Sequence, residues 1–446
     1  MRLIIRGGRP LRGEVEVPAD KSITHRALMF AGISTGRSSI RARSPGEDNH
    51  ATARVMGQLG AQVGSATEGW LVDGVGLKGL RSPADTLDCG NSGTTMRLLS
   101  GLLAGAHIDA ELIGDASLSR RPMGRVANPL RSVGADIEGQ VVQGRELPPL
   151  RIRKAKLEKG EFVMDVASAQ VKSALLLAGL TAGAEMEVVE PTPSRDHTER
   201  MLRARGADLV VEVSDRGRLI RLDPPLNMQA LDVDVPGDFS SAAFLLAAGS
   251  LVPGSEIRVR NVGLNPGRTG LLEVLEELRA RCVVSGWREV GGEPAGDITA
   301  STAELSSRQA DDDATVVAGG DIPRLIDELV VLSAVAARAD GRLEVFDARE
   351  LRVKESDRIA ETARLLAAFG VKMEEWDDGF AVQGRQEFKP AEVDVSSDHR
   401  IALSAAVIAL ATEGQSVLEG FDVASVSYAS FIDDLRGLGA DITVED

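Results

Sequence analysis

The phrase LGAQV at residues 59–63 decides the fold, because it returns several times along the chain. The other copies are VGADI at 133–137, RGADL at 205–209, FGVKM at 369–373, LGADI at 438–442 and a degraded form, ARCVV, at 280–284. With Arg281 as the glycine equivalent in the degraded copy, the steps are 74, 72, 75, 89 and 69 residues. This near-constant step predicts a protein built from six repeats.

The phrase is typical of a helix that ends at a left-handed glycine and is followed by a strand. The preceding segments GLLEVLEELRARC (270–282) and DRIAETARLLAAFG (357–370) place apolar residues at i, i+3, i+4 and i+7. We therefore predict an amphipathic surface helix before each copy.

A second helix, apolar on nearly every face, precedes each surface helix. Its six versions are SITHRALMFAGI (22–33), SGTTMRLLSGLLAG (92–105), AQVKSALLLAGL (169–180), FSSAAFLLAAGSL (239–251), DELVVLSAVAA (327–337) and DHRIALSAAVIALA (398–411). A helix that is apolar all round is buried all round, and small residues let such helices approach closely. Six such units predict an α/β protein of two domains, each with three units and buried helices inside.

Composition and charge narrow the function classes. The 446 residues are 43% hydrophobic and 26% charged, as in ordinary globular proteins, and no run approaches a membrane span. MRLIIRGGRP (1–10) lacks the apolar core of a signal peptide, so we expect a cytoplasmic protein. The net charge of −16 disfavours nucleic acid and anionic membranes as partners. With no pattern typical of a dimer surface, we expect a monomer.

Metal and nucleotide chemistry is also disfavoured. The two cysteines, Cys89 and Cys282, give neither a disulfide framework nor a cysteine-based zinc site, and the five histidines lack HExxH spacing. GxxxxGK[ST] and an opening GxGxxG are both absent, and GNSGTT (90–95) is too short for either. We therefore expect no metal and no other cofactor.

Polar residues cluster at the starts of the buried helices. They are Lys21, Ser22, Arg26, Asn91, Gly93, Thr94, Arg97, Ser168, Gln170, Lys172, Asp327, Glu328, Asp398, His399 and Arg400. Helix N-termini attract anions, so converging starts would form an interdomain cleft for phosphates and carboxylates. The loops add further cations: Arg120, Arg121, Arg195, Lys354 and Arg358.

Carboxylates beside these cations could transfer protons. The candidates are Asp327, Glu328 and Glu355; for Glu328, simple charge balance is an equally good interpretation. A structural solenoid without chemistry remains the alternative for the whole repeat.

Nine of these segments, in order, resemble the 5-enolpyruvylshikimate-3-phosphate synthase family of 3-phosphoshikimate 1-carboxyvinyltransferases. They are DKSITHR (20–26), GNSGTTMR (90–97), RRPM (120–123), SAQVKS (168–173), SRDHTER (194–200), PGDFSSA (236–242), IDE (326–328), VKESDR (353–358) and DHRIA (398–402). The resemblance implies the enolpyruvyl transferase fold, an inside-out α/β barrel of two domains, each with three βαβαββ units. The implied domains are 1–17 with 236–446, and 18–235, closing over substrates that bind in the cleft between them.

The implied reaction transfers the enolpyruvyl group of phosphoenolpyruvate to the 5-hydroxyl of shikimate 3-phosphate. It releases phosphate through a tetrahedral intermediate, as the sixth step of the shikimate pathway to chorismate and aromatic amino acids. Arginines suit such anionic substrates because their planar fork grips a phosphate or a carboxylate by two bonds.

The resemblance also implies roles for individual residues. Lys21 would touch both substrates, and Gln170 would lie between them. Shikimate 3-phosphate would be held by Ser22, Arg26, Ser168, Ala169, Ser194, Arg195 and Lys354. Phosphoenolpyruvate would be held by Gly93, Arg121, Arg358 and Arg400. Asp327 would be the base at the 5-hydroxyl and Glu355 a proton shuttle, with Lys21 and Lys354 as further catalytic residues.

Some positions depart from the pattern of the family, and two other functions compete. Val426 stands near a position where many members carry lysine, which shifts proton transfer to Lys354 and Glu355. Gly93 predicts susceptibility to glyphosate, although Leu98 stands where many members have proline. The sister UDP-N-acetylglucosamine enolpyruvyltransferases typically carry a loop cysteine, which IGDASLSRRP (113–122) lacks. A passive binder of phosphorylated molecules would need the cations but neither Asp327 nor Glu355.

Overall fold

The computed structural model describes residues 1–306 and 314–445, and the chain divides into two compact units. Unit 1 contains Met1–Pro18, Pro236–Arg288 and Pro294–Asp446. Unit 2 contains Ala19–Val235 and Glu289–Glu293. The segment Glu289–Glu293, expected within the first domain, thus lies with unit 2.

The strands in the described residues are short. They are β1 Arg2–Gly7, β2 Arg12–Glu16, β3 Thr35–Arg41, β4 Gln62–Ala66, β5 Gly69–Val75, β6 Leu87–Asp88, β7 Ala110–Ile113, β8 Asp136–Val142, β9 Arg145–Arg153, β10 Gly160–Val163, β11 Met186–Glu190, β12 Asp208–Ser214, β13 Gly217–Asp223, β14 Val233–Asp234, β15 Glu256–Gly263, β16 Arg281–Val290, β17 Glu293–Ser301, β18 Thr315–Val317, β19 Arg342–Val345, β20 Met373–Trp376, β21 Gly379–Gln383, β22 Glu392–Asp394, β23 Gly414–Glu419 and β24 Asp441–Glu445.

The helices alternate with these strands. They are α1 Lys21–Gly32, α2 Glu47–Gln58, α3 Gly93–Gly105, α4 Gly124–Ser132, α5 Ala169–Ala182, α6 His197–Arg203, α7 Phe239–Leu251, α8 Gly270–Glu277, α9 Ile322–Leu325, α10 Leu329–Arg338, α11 Arg358–Ala368, α12 His399–Leu410, α13 Ser425–Tyr428 and α14 Phe431–Gly437. Short 3-10 helices cover Leu118–Arg120, Gly319–Asp321, Arg349–Val353 and Phe421–Ala424. None of the helices in residues 1–306 and 314–445 has the length and apolarity to cross a bilayer.

The predicted repeat is confirmed by the sheets. The described residues form six four-stranded sheets, with strand orders β14-β3-β5-β4, β6-β7-β9-β8, β10-β11-β13-β12, β16-β17-β15-β2, β18-β19-β21-β20 and β22-β23-β1-β24. In each sheet one strand pairs in parallel with a neighbour that pairs antiparallel with a third strand. These are separate open sheets, so each repeat is a βαβαββ unit and not a segment of one closed hydrogen-bonded barrel.

Buried helices lie inside both units, as predicted. α1, α3 and α5 contribute to the core of unit 2, and α7, α10 and α12 to the core of unit 1. Every residue of α7 is buried. Small residues allow close packing of α3 on α5, because a Cβ at Gly101 would lie 1.9 Å from the carbonyl oxygen of Ala174.

The repeated phrase ends each surface helix by the same hydrogen bonds, and these correct the alignment of the degraded copy. Gly60 has a φ of 110°, and the next N–H, of Ala61, donates to the carbonyl of Met56. In the degraded copy the left-handed residue is Arg279, with a φ of 57°, and Ala280 donates to Leu275 at 2.8 Å. The residue equivalent to the glycine is therefore Arg279. The predicted alignment on Arg281 was wrong, because the apolar residues that follow Arg281 resemble those that begin the strand in the other copies.

Candidate active site

The first turn of α5 joins several of the predicted site residues of unit 2. Ser168 caps the helix by accepting a bond from the N–H of Val171, and Ala169 is its first residue. Gln170 donates to Thr94 Oγ1 at 3.0 Å and accepts from Arg97 Nη1 at 2.7 Å. The starts of α3 and α5 are thus held together by one amide side chain.

Gly93 opens α3 beside two guanidinium groups. A Cβ at this position would lie 2.9 Å from Arg97 Nη1 and 3.7 Å from Arg121 Nη1. Burial, together with repulsion from Arg121 and Arg125, lowers the pKa of Arg97 to about 10. Asn91 accepts a bond from Arg121 Nη2 at 2.7 Å. The helix start and the two cations together favour an anion here, and Arg97 joins the site although the resemblance gave it no role.

Arg26 is buried and fixed from several sides. Its Nε donates to Thr198 Oγ1 at 2.7 Å and its Nη2 to Ser173 Oγ at 2.8 Å. Its Nη1 donates to the carbonyl of Ser22 at 3.0 Å. Burial lowers the pKa of Arg26, and Arg195 is close enough to contribute to that lowering. The predicted residues Ser22, Arg26 and Arg195 therefore lie near one another in unit 2, in a region where Glu199, Asp20 and Glu293 also act on Arg26.

Lys21 lies at the start of α1 and its side chain is 57% exposed, so a ligand can reach it. Its Nζ forms an ion pair with Asp48, and its carbonyl accepts a bond from Asn49 at 3.1 Å. Both partners belong to the first turn of α2, which therefore orients the lysine.

A buried network behind Lys21 links three helices. His25 Nδ1 lies 2.7 Å from Thr52 Oγ1, which in turn lies 2.7 Å from Thr95 Oγ1. Thr95 bonds to Ser92, the residue that caps α3. The starts of α1, α2 and α3 are thereby held in register. Ser194, on the loop after β11, donates both its N–H and its hydroxyl to Glu190.

In unit 1 the side chain of Arg358 contacts three carboxylates. Its Nε donates to Asp398 Oδ2 at 2.8 Å, its Nη1 to Asp327 Oδ1 at 3.2 Å and its Nη2 to Glu355 Oε2 at 2.6 Å. Burial raises and Arg358 lowers the pKa of Glu355, and the result lies below the ordinary value. The predicted base and the predicted proton shuttle are thus bonded to the same guanidinium.

Asp327 lies among three arginines. Besides Arg358, Arg268 Nη1 and Arg400 Nε lie 3.8 Å from its carboxylate oxygens. Arg400 also donates to the backbone carbonyl of Asp327 at 3.2 Å. Sequence reasoning missed Arg268, which lies in the loop between β15 and α8 and donates to Asp238, the N-cap of α7, at 2.7 Å. The equivalent loops of other repeats carry Arg121, Arg195 and Lys354, so aligning the repeats could have singled out Arg268.

The remaining charged groups differ in their roles. Glu328 is buried and accepts a bond from Ser240, and burial raises its pKa. His399 begins α12, where burial and then Arg400 lower its pKa to about 4, so it is neutral at pH 7. Lys354 is partly buried and directly follows the 3-10 helix Arg349–Val353.

Comparisons with known proteins identify the family of the chain. A sequence model of EPSP synthase (3-phosphoshikimate 1-carboxyvinyltransferase) matches residues 5–435. A 3-phosphoshikimate 1-carboxyvinyltransferase of Prochlorococcus marinus (strain MIT 9303) is 48% identical over 439 residues, covering 97% of each chain. One of Anaeromyxobacter sp. (strain Fw109-5) is 47% identical over 430 residues, covering 96% of each chain.

Solved structures show the same relationship. EPSP synthase from Acinetobacter baumannii matches with a TM-score of 0.89 at 36% identity, over 99% of this chain and 100% of that one. The enolpyruvyl transferase NikO from Streptomyces tendae, at 18% identity and a TM-score of 0.73 over 99% of this chain and 98% of that one, shares the fold. The chain therefore belongs to the EPSP synthase family.

Proposed function

We infer that this chain transfers the enolpyruvyl group of phosphoenolpyruvate to the 5-hydroxyl of shikimate 3-phosphate and releases phosphate. The observation that carries this inference is the similarity to 3-phosphoshikimate 1-carboxyvinyltransferases, which extends over 97% of the chain. The activity is a transferase step of the shikimate pathway toward aromatic amino acids, and its two substrates are the small-molecule partners.

Shikimate 3-phosphate binds to the residues of unit 2 that gather around the starts of α1 and α5. They are Lys21, Ser22, Arg26, Ser168, Ala169, Gln170, Ser194 and Arg195, with Lys354 of unit 1 assigned by the resemblance. Support comes from the buried and fixed guanidinium of Arg26 and from the capped helix starts, whose free N–H groups suit a phosphate.

Phosphoenolpyruvate binds at Gly93, Arg121, Arg358 and Arg400, with Lys21 touching both substrates. Support comes from Gly93, where the missing side chain leaves two guanidinium groups close to the backbone. A planar guanidinium can grip either anionic group of this substrate by two bonds.

The chemistry is an addition followed by an elimination. Asp327 takes the 5-hydroxyl proton while that oxygen attacks the carbon that carries the phosphate, and Glu355 relays to the methylene carbon a proton that it first takes up from solvent. In the elimination, the ionised Glu355 takes a methyl proton back as the bond to phosphate breaks, which restores the double bond, and the proton on Asp327 passes to the leaving phosphate. Lys21 and Lys354 stabilise the developing charge. General acid–base catalysis of this kind needs carboxylates within hydrogen-bond reach of the reacting groups.

Arg358 couples substrate binding to this chemistry. A guanidinium has five N–H donors, and four contacts of Arg358 already go to Asp398, Asp327 and Glu355. A bidentate grip on phosphoenolpyruvate needs two donors, so it must replace at least one of these four bonds. Replacement of a bond to Asp327 or Glu355 would release a carboxylate oxygen for proton transfer when the second substrate is present.

Phosphate release tests this function directly. We expect turnover with shikimate 3-phosphate and none with UDP-N-acetylglucosamine; the reverse result would assign the sister activity. Asp327→Asn and Glu355→Gln should each lower turnover about a hundredfold or more while binding of shikimate 3-phosphate, measured by calorimetry, persists. Glu350→Gln, an exposed carboxylate on the preceding 3-10 helix, is the control. Full turnover in both site variants would exclude Asp327 and Glu355 from the chemistry, whereas binding of shikimate 3-phosphate without any phosphate release by the wild type would favour the passive binder.

We further propose that the enzyme acts as a cytoplasmic monomer. Both cysteines, Cys89 and Cys282, are unpaired thiols, as is usual in a reducing compartment. Sedimentation velocity should show a species of 47.2 kDa, and twice that mass would contradict the monomer.

A further inference from the structure

A buried ion pair in unit 2 takes no direct part in the chemistry proposed above. Lys172 on α5 and Glu190 at the end of β11 are both 0% exposed. The ammonium lies 3.0 Å from Glu190 Oε2 and 2.7 Å from Glu199 Oε1. Such pairs are weak evidence for stability, because apolar side chains of similar volume often serve the fold as well or better.

The other repeats show that the fold does not need a charge at this place. Lys172 lies four residues after the N-cap of its buried helix. The corresponding residues of the other five buried helices are Thr24, Met96, Ala242, Leu332 and Ala402. All five are uncharged and buried. The charge therefore serves a task particular to the third repeat of unit 2.

The hydrogen bonds of Glu190 indicate what that task is. Glu190 Oε1 accepts the backbone N–H of Ser194 at 3.3 Å and also its hydroxyl. The bonded chain thus runs from the first turn of α5, where Ser168 and Gln170 lie, to the loop that carries Ser194. The backbone bond fixes the loop, and the hydroxyl remains able to turn its proton toward a phosphate.

Charge balance around Glu190 matters for an anionic ligand. Burial raises the pKa of Glu190, and the Lys172 ammonium opposes that rise. An ionised Glu190 without Lys172 would present a negative charge behind Ser194 and repel a phosphate. With Lys172 in place, the carboxylate keeps its bond to the backbone N–H of Ser194 after the hydroxyl turns to a phosphate, and its charge is balanced by the ammonium.

We propose that Lys172 and Glu190 are positioning residues for shikimate 3-phosphate, acting by holding Ser194 and cancelling the charge behind it. The proposal rests on the function proposed above, in which Ser194 binds that substrate.

The test is a double variant, Lys172→Met with Glu190→Gln, compared with Ser194→Ala and with the triple variant. Glu199 keeps a partner in all of them, because Arg218 Nη2 lies 2.9 Å from its Oε1. We expect the KM for shikimate 3-phosphate to rise about tenfold in the double variant, since small misplacements of binding groups are costly. The KM for phosphoenolpyruvate should stay within about twofold, and the triple variant should be no worse than the worse of the two others.

Three results would overturn the proposal. The first is a double variant that folds and has an unchanged KM for shikimate 3-phosphate. An equal rise in both KM values, or effects that multiply in the triple variant, is the second. The third is failure to fold of both the double variant and Glu190→Gln alone, which would show a structural role. Failure of the proposed function is distinguishable, because it would appear as wild-type phosphate release that does not depend on shikimate 3-phosphate.

Discussion

At the proposed phosphoenolpyruvate site, the missing side chain of Gly93 leaves room beside two guanidinium groups. A Cβ there would come within 2.9 Å of Arg97 Nη1, closer than real Cβ contacts, so the guanidinium would have to move. We expect Gly93→Ala to raise the KM for phosphoenolpyruvate about tenfold, because Arg97 and Arg121 would no longer face the same point. The KM for shikimate 3-phosphate should be nearly unchanged.

Steady-state kinetics with each substrate varied in turn would measure this effect. Gly57→Ala is the matched control, because that helical glycine faces open space and alanine is the better helix former. A wild-type KM for phosphoenolpyruvate in Gly93→Ala would separate Gly93 from that substrate.

The contacts of some individual residues could not be predicted from the sequence. The repeat places an apolar residue before five of its six left-handed positions, namely Leu59, Val133, Leu278, Phe369 and Leu438. Arg205 stands at that position in the third copy and is fully buried, with its guanidinium 5.8 Å from the centre of the Phe30 ring. Aligning the repeats shows that Arg205 is an exception, but only the three-dimensional structure shows what its side chain contacts. The same holds for Arg268 and Glu190, whose importance depends on partners distant in the chain.

At the scale of elements, Arg279 is the weak point of the repeated helix ending. It adopts the left-handed conformation that glycine takes in the other five copies, and it is exposed. A side chain costs about 1 kcal/mol in that conformation. We therefore expect Arg279→Gly to raise the free energy of unfolding by about that amount, measured by urea denaturation.

Arg281→Gly provides the contrasting control, because Arg281 begins β16 and glycine weakens a strand. It should lower the free energy of unfolding. Stabilisation by Arg281→Gly and not by Arg279→Gly would contradict the alignment that the hydrogen bonds support.

The hydrophobic pattern of a segment predicts its secondary structure better than the identities of single residues do. The six buried helices were correctly predicted because an apolar surface on every face leaves burial as the only stable outcome. The degraded copy was misaligned by two residues. Its helix end is defined by the hydrogen bond from the Ala280 N–H to the Leu275 carbonyl, and such a backbone bond cannot be recognised from the residue types. The small residues of the buried helices predict that some of these helices pack closely. The sequence does not show that the contact is between Gly101 and Ala174.

For the whole molecule, the lowered pKa values of two histidines, His399 and His25, predict a loss of stability in mild acid. The pKa of His399 falls from an ordinary 6.5 to about 4, because of burial first and then Arg400. Burial likewise lowers the pKa of His25. The unfolded chain binds these protons near pH 6.5 and the folded chain does not, so lowering the pH from 6.5 toward 4 favours unfolding by up to about 1.4 kcal/mol per unit for each histidine.

Urea midpoints at pH 7, 6 and 5 would measure this slope. His399→Gln should reduce it, whereas His107→Asn, at an exposed position, should leave it unchanged. An unaltered slope in His399→Gln would show that His399 does not resist protonation in the folded chain.

The pairing of β1 with β23 and β24 has a consequence for synthesis on the ribosome. The apolar strand RLIIRG is made well before its neighbours Gly414–Glu419 and Asp441–Glu445, which follow it at the far end of unit 1. At about 5–20 residues per second, translation leaves this strand without its partners for roughly 20–90 s. Meanwhile Ala19–Val235, nearly all of unit 2, can emerge and fold as one continuous nascent segment.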